Sequence, residues 1–324
     1  MTHMSADAPT ARATGDRLGV RWGLAGGIAL SSIDEVRDVT RFAVEAGFDS
    51  LWISHANAVD PIVALAATAD DSAGLSEVGT SVVPLYGRHP IGLAQLTRTA
   101  QSALGGRFTL GIGAASRGAV ATSMGLAWDR PLGYTREFID GLQPLLAGQV
   151  ADVDGEQVTT HAELNITAPD TPILLAALGP KMLDLAGRRV QGTSVGQCGP
   201  RTIATYIAPT IRAAAEEAGR PAPRIMALIR LCVTDDYTGA CALARETATR
   251  YRAVPSYERV QDMEGLDDPA QLHLIGTWPE VFDGLGEYAA AGVTDFRLEI
   301  AAHDRRSREM TREAFAQHLG GQAR

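Results

Sequence analysis

The stretch Leu178-Gly-Pro-Lys-Met182 holds the lone lysine, Lys181, of a 324-residue chain whose other basic side chains are 28 arginines. Gly179 allows close approach to the backbone, and Pro180 suits a first helical position, where no N–H partner is needed. A helix beginning there presents unpaired amides and a positive dipole end, a ready receptor for phosphate, to which Lys181 adds a point charge. The alternative is an ordinary proline-started helix with a surface lysine. His55, in Trp52-Ile-Ser-His-Ala-Asn57, could donate, accept or shuttle a proton near neutral pH, or simply satisfy loop carbonyls. Gly111-Ile-Gly113, followed by Ala114-Ala-Ser-Arg117, leaves either room for a flat ring or a turn that needs glycine. No Gly-x-Ser-x-Gly elbow and no Cys–His pairing offers a nucleophile. Cys198, Cys232 and Cys241 have no metal-ligand spacing, and neither do the histidines. The paired acids Asp70-Asp71, Asp235-Asp236 and Asp267-Asp268 fall in turns and are read as solvated.

Short apolar runs alternate with amphipathic segments along the chain. Strands are expected at 21–30 (running into a Gly-rich loop), 50–54, 78–85, 108–112, 173–178, 192–196, 225–233 and 295–300. Helical spacing of apolar residues falls at 33–46, 61–70, 91–103, 135–146, 181–189, 201–218, 237–252, 279–291 and 307–318. Continuous apolar strands separated by helices read as parallel strands buried on both faces, and eight such units define a (β/α)8 TIM barrel. A doubly wound open sheet is disfavoured because the first strand–helix turn has no GxGxxG with a downstream acid. The polar interval 147–171, with Asp154-Gly155, suggests a hairpin or extended insertion. The interval 254–274, with Pro255 and Pro269, suggests a lid-like excursion. Residues 1–17 read as a disordered tail and 18–324 as one barrel domain. Active sites of such barrels form beyond the C-terminal strand ends. That places Gly26-Gly27, His55, 82–88, 113–117, 178–181, 196–201 and 299–304 at the working face.

A formal charge of −9 argues against general affinity for nucleic acid or anionic membranes, though not against a local basic pocket. The odd cysteine count is a poor disulfide framework, so a reduced, cytoplasmic protein is expected. No apolar run approaches the roughly 18 residues that span a bilayer. The arginine bias itself reads as codon usage rather than chemistry.

Five stretches in order resemble one family: Ala46-Gly-Phe-Asp-Ser-Leu-Trp52, Gly79-Thr-Ser-Val-Val-Pro84, Arg107-Phe-Thr-Leu-Gly-Ile-Gly113, Ala176-Ala-Leu-Gly-Pro-Lys-Met-Leu183 and Gly292-Val-Thr-Asp-Phe296. Together they are similar to the luciferase-like oxidoreductases, and more narrowly to the actinobacterial branch that uses the deazaflavin coenzyme F420. The resemblance runs over about residues 20–300. It implies a barrel with an insertion, a non-proline cis bond at Ser81–Val82 behind the deazaflavin ring, and cofactor phosphate at Gly179, Pro180 and Lys181. The loop 196–201 is expected to approach the same phosphate. The cofactor-binding set is then Ser81, Val82, Val83, Gly111, Gly113, Ala114, Ala177, Leu178, Gly179, Pro180, Lys181, Met182, Gly196, Gln197, Cys198 and Arg201. His55 matches the ring-proximal histidine of F420-dependent sugar-phosphate dehydrogenases and is the expected catalytic residue.

Two departures count against sugar-phosphate oxidation: Ser54 replaces the acid before that histidine, and Ser116 stands where those enzymes carry a glutamate proton donor. No motif speaks for methylene-tetrahydromethanopterin reduction. The expected activity is hydride transfer between F420 and a small organic substrate. The alternatives are an FMN-dependent monooxygenase and a non-catalytic cofactor-binding barrel. A homodimer is expected, with no nucleic-acid or membrane partner and no metal.

Overall fold

A computed structural model describes residues 18–320; the expected tail at 1–17 and the last four residues of the expected domain lie outside the described residues. Eight parallel strands close a ring: β1 (Arg21–Ala25), β2 (Ser50–Ile53), β3 (Glu77–Thr80), β4 (Phe108–Gly113), β5 (Ile173–Ala176), β6 (Gly192–Val195), β7 (Arg224–Val233) and β8 (Asp295–Ile300). Neighbours in sequence are neighbours in the sheet, and β8 closes on β1 with Trp22 opposite Phe296. The expected (β/α)8 barrel is therefore what the chain forms. Helices Ile33–Ala46 and Tyr237–Arg252 fall where the apolar spacing puts them. The expected helix 135–146 starts earlier, at Pro131. The expected helix 201–218 is a helical run from Pro200 to Glu217 interrupted by a π-turn at Ile203–Ile207.

Two intervals resolve differently from one another. Within 147–171 the strands Ala151–Asp154 and Thr159–Ala162 form an antiparallel hairpin. The interval 254–274 is not an open excursion: it holds the helix Pro255–Glu264 and a 3-10 turn at Pro269–Leu272, and it leads into a strand, His273–Gly276, paired with Arg230–Val233 of β7. Pro255 opens its helix instead of breaking one, because a first-turn proline gives up an amide that has no intrahelical partner anyway.

Alternation along the strands sends one set of side chains outward, against the helices, and the other into the barrel. On β8, Phe296 and Leu298 join the large core shared with the helices, while Asp295, Arg297 and Glu299 occupy the other register positions. At the base, Arg224 donates to both oxygens of Glu77 (2.8 and 2.9 Å) and to Asp295 (2.6 Å). Arg21 adds a 2.7 Å contact to Glu77, and the Thr109 hydroxyl donates to the same carboxylate. Above this lies Trp52, fully buried and clustered with Leu174 and Met226 apart from the outer core. Its ring centroid is 5.9 Å from the Arg224 guanidinium carbon. Glycine makes the room for this indole: a Cβ on Gly79 would lie 2.3 Å from the Trp52 ring, and one on Gly23 would lie 2.8 Å from Nε1.

Burial works to raise the Glu77 carboxyl, but the hydrogen bond and charge of Arg224, helped by Arg21 and Thr109, outweigh it and hold the group below its usual 4.5. A depressed carboxyl stabilises the fold fully above its unfolded value and loses that contribution as pH falls through the folded one. Arg224→Met leaves two nearly buried carboxylates short of a partner and should lower unfolding free energy by about 3–5 kcal/mol at pH 7. The deficit should shrink as pH falls below 4.5. Denaturant melts of both proteins across that range are the check; a loss under about 1 kcal/mol at pH 7 would show that the bridge does not hold the base.

Candidate active site

The ends of β2 to β6 supply the expected site residues, and the structure gathers them along one arc of the barrel mouth. His55 follows β2, half-buried, with Nε2 4.0 Å from Asp60 Oδ2. Asp60 is itself held by Arg88 at 2.7 Å and caps the helix Pro61–Ala67 through the amides of Ile62 and Val63. Burial and the nearby Arg88 charge pull the His55 imidazole below its ordinary 6.5, with Asp60 opposing. His55 is therefore a neutral ring at pH 7, able to donate at one nitrogen and accept at the other.

Next to it, β3 stops at Thr80 and the chain bulges through a cis Ser81–Val82 bond before Val83–Pro84 pairs with β4. The cis bond lies where the family resemblance places it. Ser54 Oγ donates to the Ser81 carbonyl (3.0 Å) and accepts from Arg297 Nη2 (2.6 Å), while Ser81 Oγ meets Ser194 Oγ at 2.9 Å. The Thr80 hydroxyl bonds both the carbonyl and the amide of Gly111, each at 2.9 Å. A Cβ on Gly111 would lie 1.9 Å from the Thr80 carbonyl oxygen, and one on Gly113 would lie 3.0 Å from a Val82 methyl. These glycines thus seat the bulge. Gly111 in particular has Thr80 packed against its backbone where a side chain would point. Val83, Ala177 and Cys198 turn into the core, so their side chains do not face the mouth, whereas Val82, Ala114, Leu178 and Met182 are half-buried there. Burial pushes the Cys198 thiol up to about 12, with Glu264 adding to the rise.

Two helices begin side by side at the ends of β5 and β6, and they differ. Gly179 is the N-cap of the helix Pro180–Arg189, and no side chain caps it among the described residues. Lys181 is exposed on its first turn. Arg259 Nη2 reaches the Leu178 carbonyl at 2.7 Å and Tyr206 Oη at 2.7 Å, bringing a second cation to this loop. At the other start, the Glu264 carboxylate accepts from the amides of Gly199 (3.0 Å), Arg201 (3.0 Å) and Thr202 (2.8 Å). Within the loop expected to approach a phosphate, the amides of Gly199 and Arg201 are therefore taken by the chain's own anion. Gln197, in the left-handed region at φ 61°, accepts from Gln261 Nε2 at 3.2 Å. The helix Pro255–Glu264 thus contributes Arg259, Gln261 and Glu264 to this region, none of them foreseen from sequence.

On the opposite arc lie two buried arginines that the motif reading also missed. Arg230 pairs with Glu299 (Nε to Oε2, 3.0 Å) and lies 4.9 Å from the Tyr251 ring centroid. Arg297 is 7% exposed; its Nη2 bonds Ser54, and its Nε finds no partner among the described residues. Burial pulls the Arg297 guanidinium down to about 10, Glu299 opposing and Arg230 adding to the fall. The period-two spacing of Asp295, Arg297 and Glu299 in an otherwise apolar strand was the available signal. Among the described residues there is no cluster of His, Cys, Asp or Glu arranged to hold a metal, and no helix long and apolar enough to cross a membrane.

A parallel eight-stranded barrel with a bulged third strand and a proline-opened helix after the fifth defines a luciferase-like oxidoreductase scaffold. The family model for luciferase-like monooxygenases matches residues 18–295, and the chain belongs to that family. It is 29% identical over 245 residues to the 5,10-methylenetetrahydromethanopterin reductase of Methanolobus tindarius, covering 75% of this chain and 74% of that protein. It is 30% identical over 254 residues to the F420-dependent glucose-6-phosphate dehydrogenase of Beutenbergia cavernae, covering 73% of each. A solved F420-dependent secondary alcohol dehydrogenase, in complex with an F420–acetone adduct, shares the fold at a TM-score of 0.79 and 19% identity, over 93% of this chain and 99% of that one. The protein is an enzyme of the luciferase-like oxidoreductase type.

Removing the Arg88 charge should let His55 titrate higher. In Arg88→Gln the imidazole should move up toward 6.5, with burial still holding it below, read from ring-proton NMR titrations of both proteins. An unmoved midpoint would mean that Arg88 does not set the protonation of His55.

Proposed function

We propose that this chain is an F420-dependent oxidoreductase, with hydride passing between the deazaflavin and a small organic substrate at the C-terminal mouth of the barrel. The observation that carries this reading is the contrast between the two helix starts. One is closed by Glu264, while the other, at Gly179, has no side-chain cap and two cations, Lys181 and Arg259, beside it. That start fits a phosphate. The relatives named for F420 use support the cofactor over other phosphorylated ligands.

When bound, the deazaflavin would supply a two-electron carrier, and the protein supplies orientation and electrostatics. Backbone amides at the Gly179 start and the Lys181 ammonium would hold the phosphate. Val82, carried on the bulge that Ser54 and Ser194 lock, would give the ring a fixed apolar backing. His55, neutral at pH 7, donates or accepts one proton at a substrate oxygen while Asp60 and Arg88 fix its surroundings. The half-buried setting of His55 limits competing water around that transfer.

A second reading keeps the site but places FMN in it for oxygen chemistry, as the family description allows. Fluorescence titration with each cofactor, followed by oxygen uptake, separates the two. F420 should bind more tightly and leave oxygen consumption at background. Tighter FMN binding with oxygen uptake in the presence of a reductant would establish the second reading in its place.

Lys181 is exposed, so its share is modest. Lys181→Ala should weaken F420 binding about two- to fivefold at low salt, with the gap closing as salt rises. An unchanged affinity at low salt would remove Lys181 from the phosphate site.

A further inference from the structure

The two ends of the barrel treat arginine in opposite ways. At the base, Arg224 lies between two carboxylates, Glu77 and Asp295. At the mouth, Arg230 and Arg297 are both buried, at 8% and 7% exposure. Here Glu299 is the carboxylate at hand, and Arg230 holds it at 3.0 Å. Among the described residues Arg297 makes one side-chain hydrogen bond, to the neutral Ser54 hydroxyl, and its Nε is buried without a partner. A guanidinium carries five N–H donors in a fixed fork, and a buried cation short of acceptors is an unfavourable arrangement unless something outside the protein supplies them.

The position of Arg297 says what that partner is. Its Nη2 lies 2.6 Å from the Oγ of Ser54, the residue before His55, so the guanidinium reaches the level of the strand ends. The Gly179 start follows β5, three strands round the ring from β8, and so a phosphate held there is on another part of the mouth. The Tyr251 and Tyr257 rings meet edge to face at 5.3 Å, and Arg230 stacks on the first of them. This aromatic pair shields the arginines from water and strengthens any charge pairing made there.

The geometry points to Arg297 as the receptor for an oxyanion carried by the substrate, a carboxylate or a phosphate ester. This inference rests on the oxidoreductase reading for the word substrate, but its anion site is testable without turnover. Substrate would then enter with its charged end toward β8 and its reacting carbon toward the His55 side. A planar fork suits either group in a two-point contact, which a lysine would not reproduce.

Thermal melts of the full chain without added cofactor provide the test, using wild type, Arg297→Met and Arg297→Lys. Each is melted with sodium benzoate, with sodium phosphate, and with sodium chloride at matched ionic strength. Benzoate, phosphate or both should raise the wild-type midpoint by about 2 °C or more over chloride. That shift should vanish in Arg297→Met and be reduced in Arg297→Lys. A response to benzoate alone assigns a carboxylate, and to phosphate alone a phosphate ester. Because it removes an uncompensated buried charge, Arg297→Met should melt at or above the wild-type temperature in chloride. F420 titration of Arg297→Met should match wild type. The inference is overturned if neither probe shifts wild type or if the shift survives in Arg297→Met. It is equally overturned if that variant melts well below wild type, which makes Arg297 a structural residue. A tenfold loss of F420 affinity in Arg297→Met would assign the residue to the cofactor and overturn the inference too. Failure of wild type to bind F420 at all would sink the proposed function while leaving the anion shift to be read.

Discussion

Arg224 stands where β3, β7 and β8 meet at the base of the barrel, and its guanidinium is shared between Glu77 and Asp295. Eight strands can close on one another only if their inner side chains fill the space in layers. Here the lowest layer is ionic, with acids and bases in equal number, so it can be buried without leaving net charge. Trp52 rests on it and fills the middle. An indole that large fits because Gly23 and Gly79 have no side chains to meet it. The height of every residue at the mouth follows from that stack.

Charge is distributed unevenly above it. The mouth holds two buried guanidiniums beside the half-buried Glu299, an imidazole kept neutral by burial and a neighbouring arginine, and a helix start with two further cations, against the carboxylates of Asp60 and Glu264. In a chain of net charge −9, this concentration of positive groups is local. It suits a cleft that takes in anionic molecules from a solvent they share with a mostly acidic surface, because the field converges where the strands end.

Most of the barrel could be read from the sequence, because strands buried on both faces leave long apolar runs and the helices between them keep their spacing. The strand His273–Gly276 could not, being four residues long and only half buried along its middle. The helix Pro255–Glu264 was hidden because a proline signals either a break or a start, and only the packing partner decides which. Gly179, Lys181 and His55 could be picked out from local context. The roles of Glu264 and Arg297 could not, since each depends on a group brought near by folding: Gly199 lies 65 residues from Glu264, and Ser54 lies 243 from Arg297. Arginine abundance added to the difficulty, as a chain with 28 of them gives no single one away. Gly111 and Gly113 were visible as glycines, but the close approach of Thr80 and Val82 to them was not, since both come from a neighbouring segment brought near by folding.

β7 is ten residues long, against four to six for the other barrel strands. Its first residue is Arg224 and Arg230 lies toward its last, and its far half is clamped on a second edge by the short strand at 273–276. An extended segment rising about 3.3 Å per residue puts some 20 Å between those two arginines. Such a strut does not bend easily, so a lateral displacement imposed at one end is transmitted to the other. The placement of Arg230 beside Glu299 is in that sense gauged from the opposite side of the molecule, and a designer wishing to shift it could work at the base without touching a single residue of the mouth.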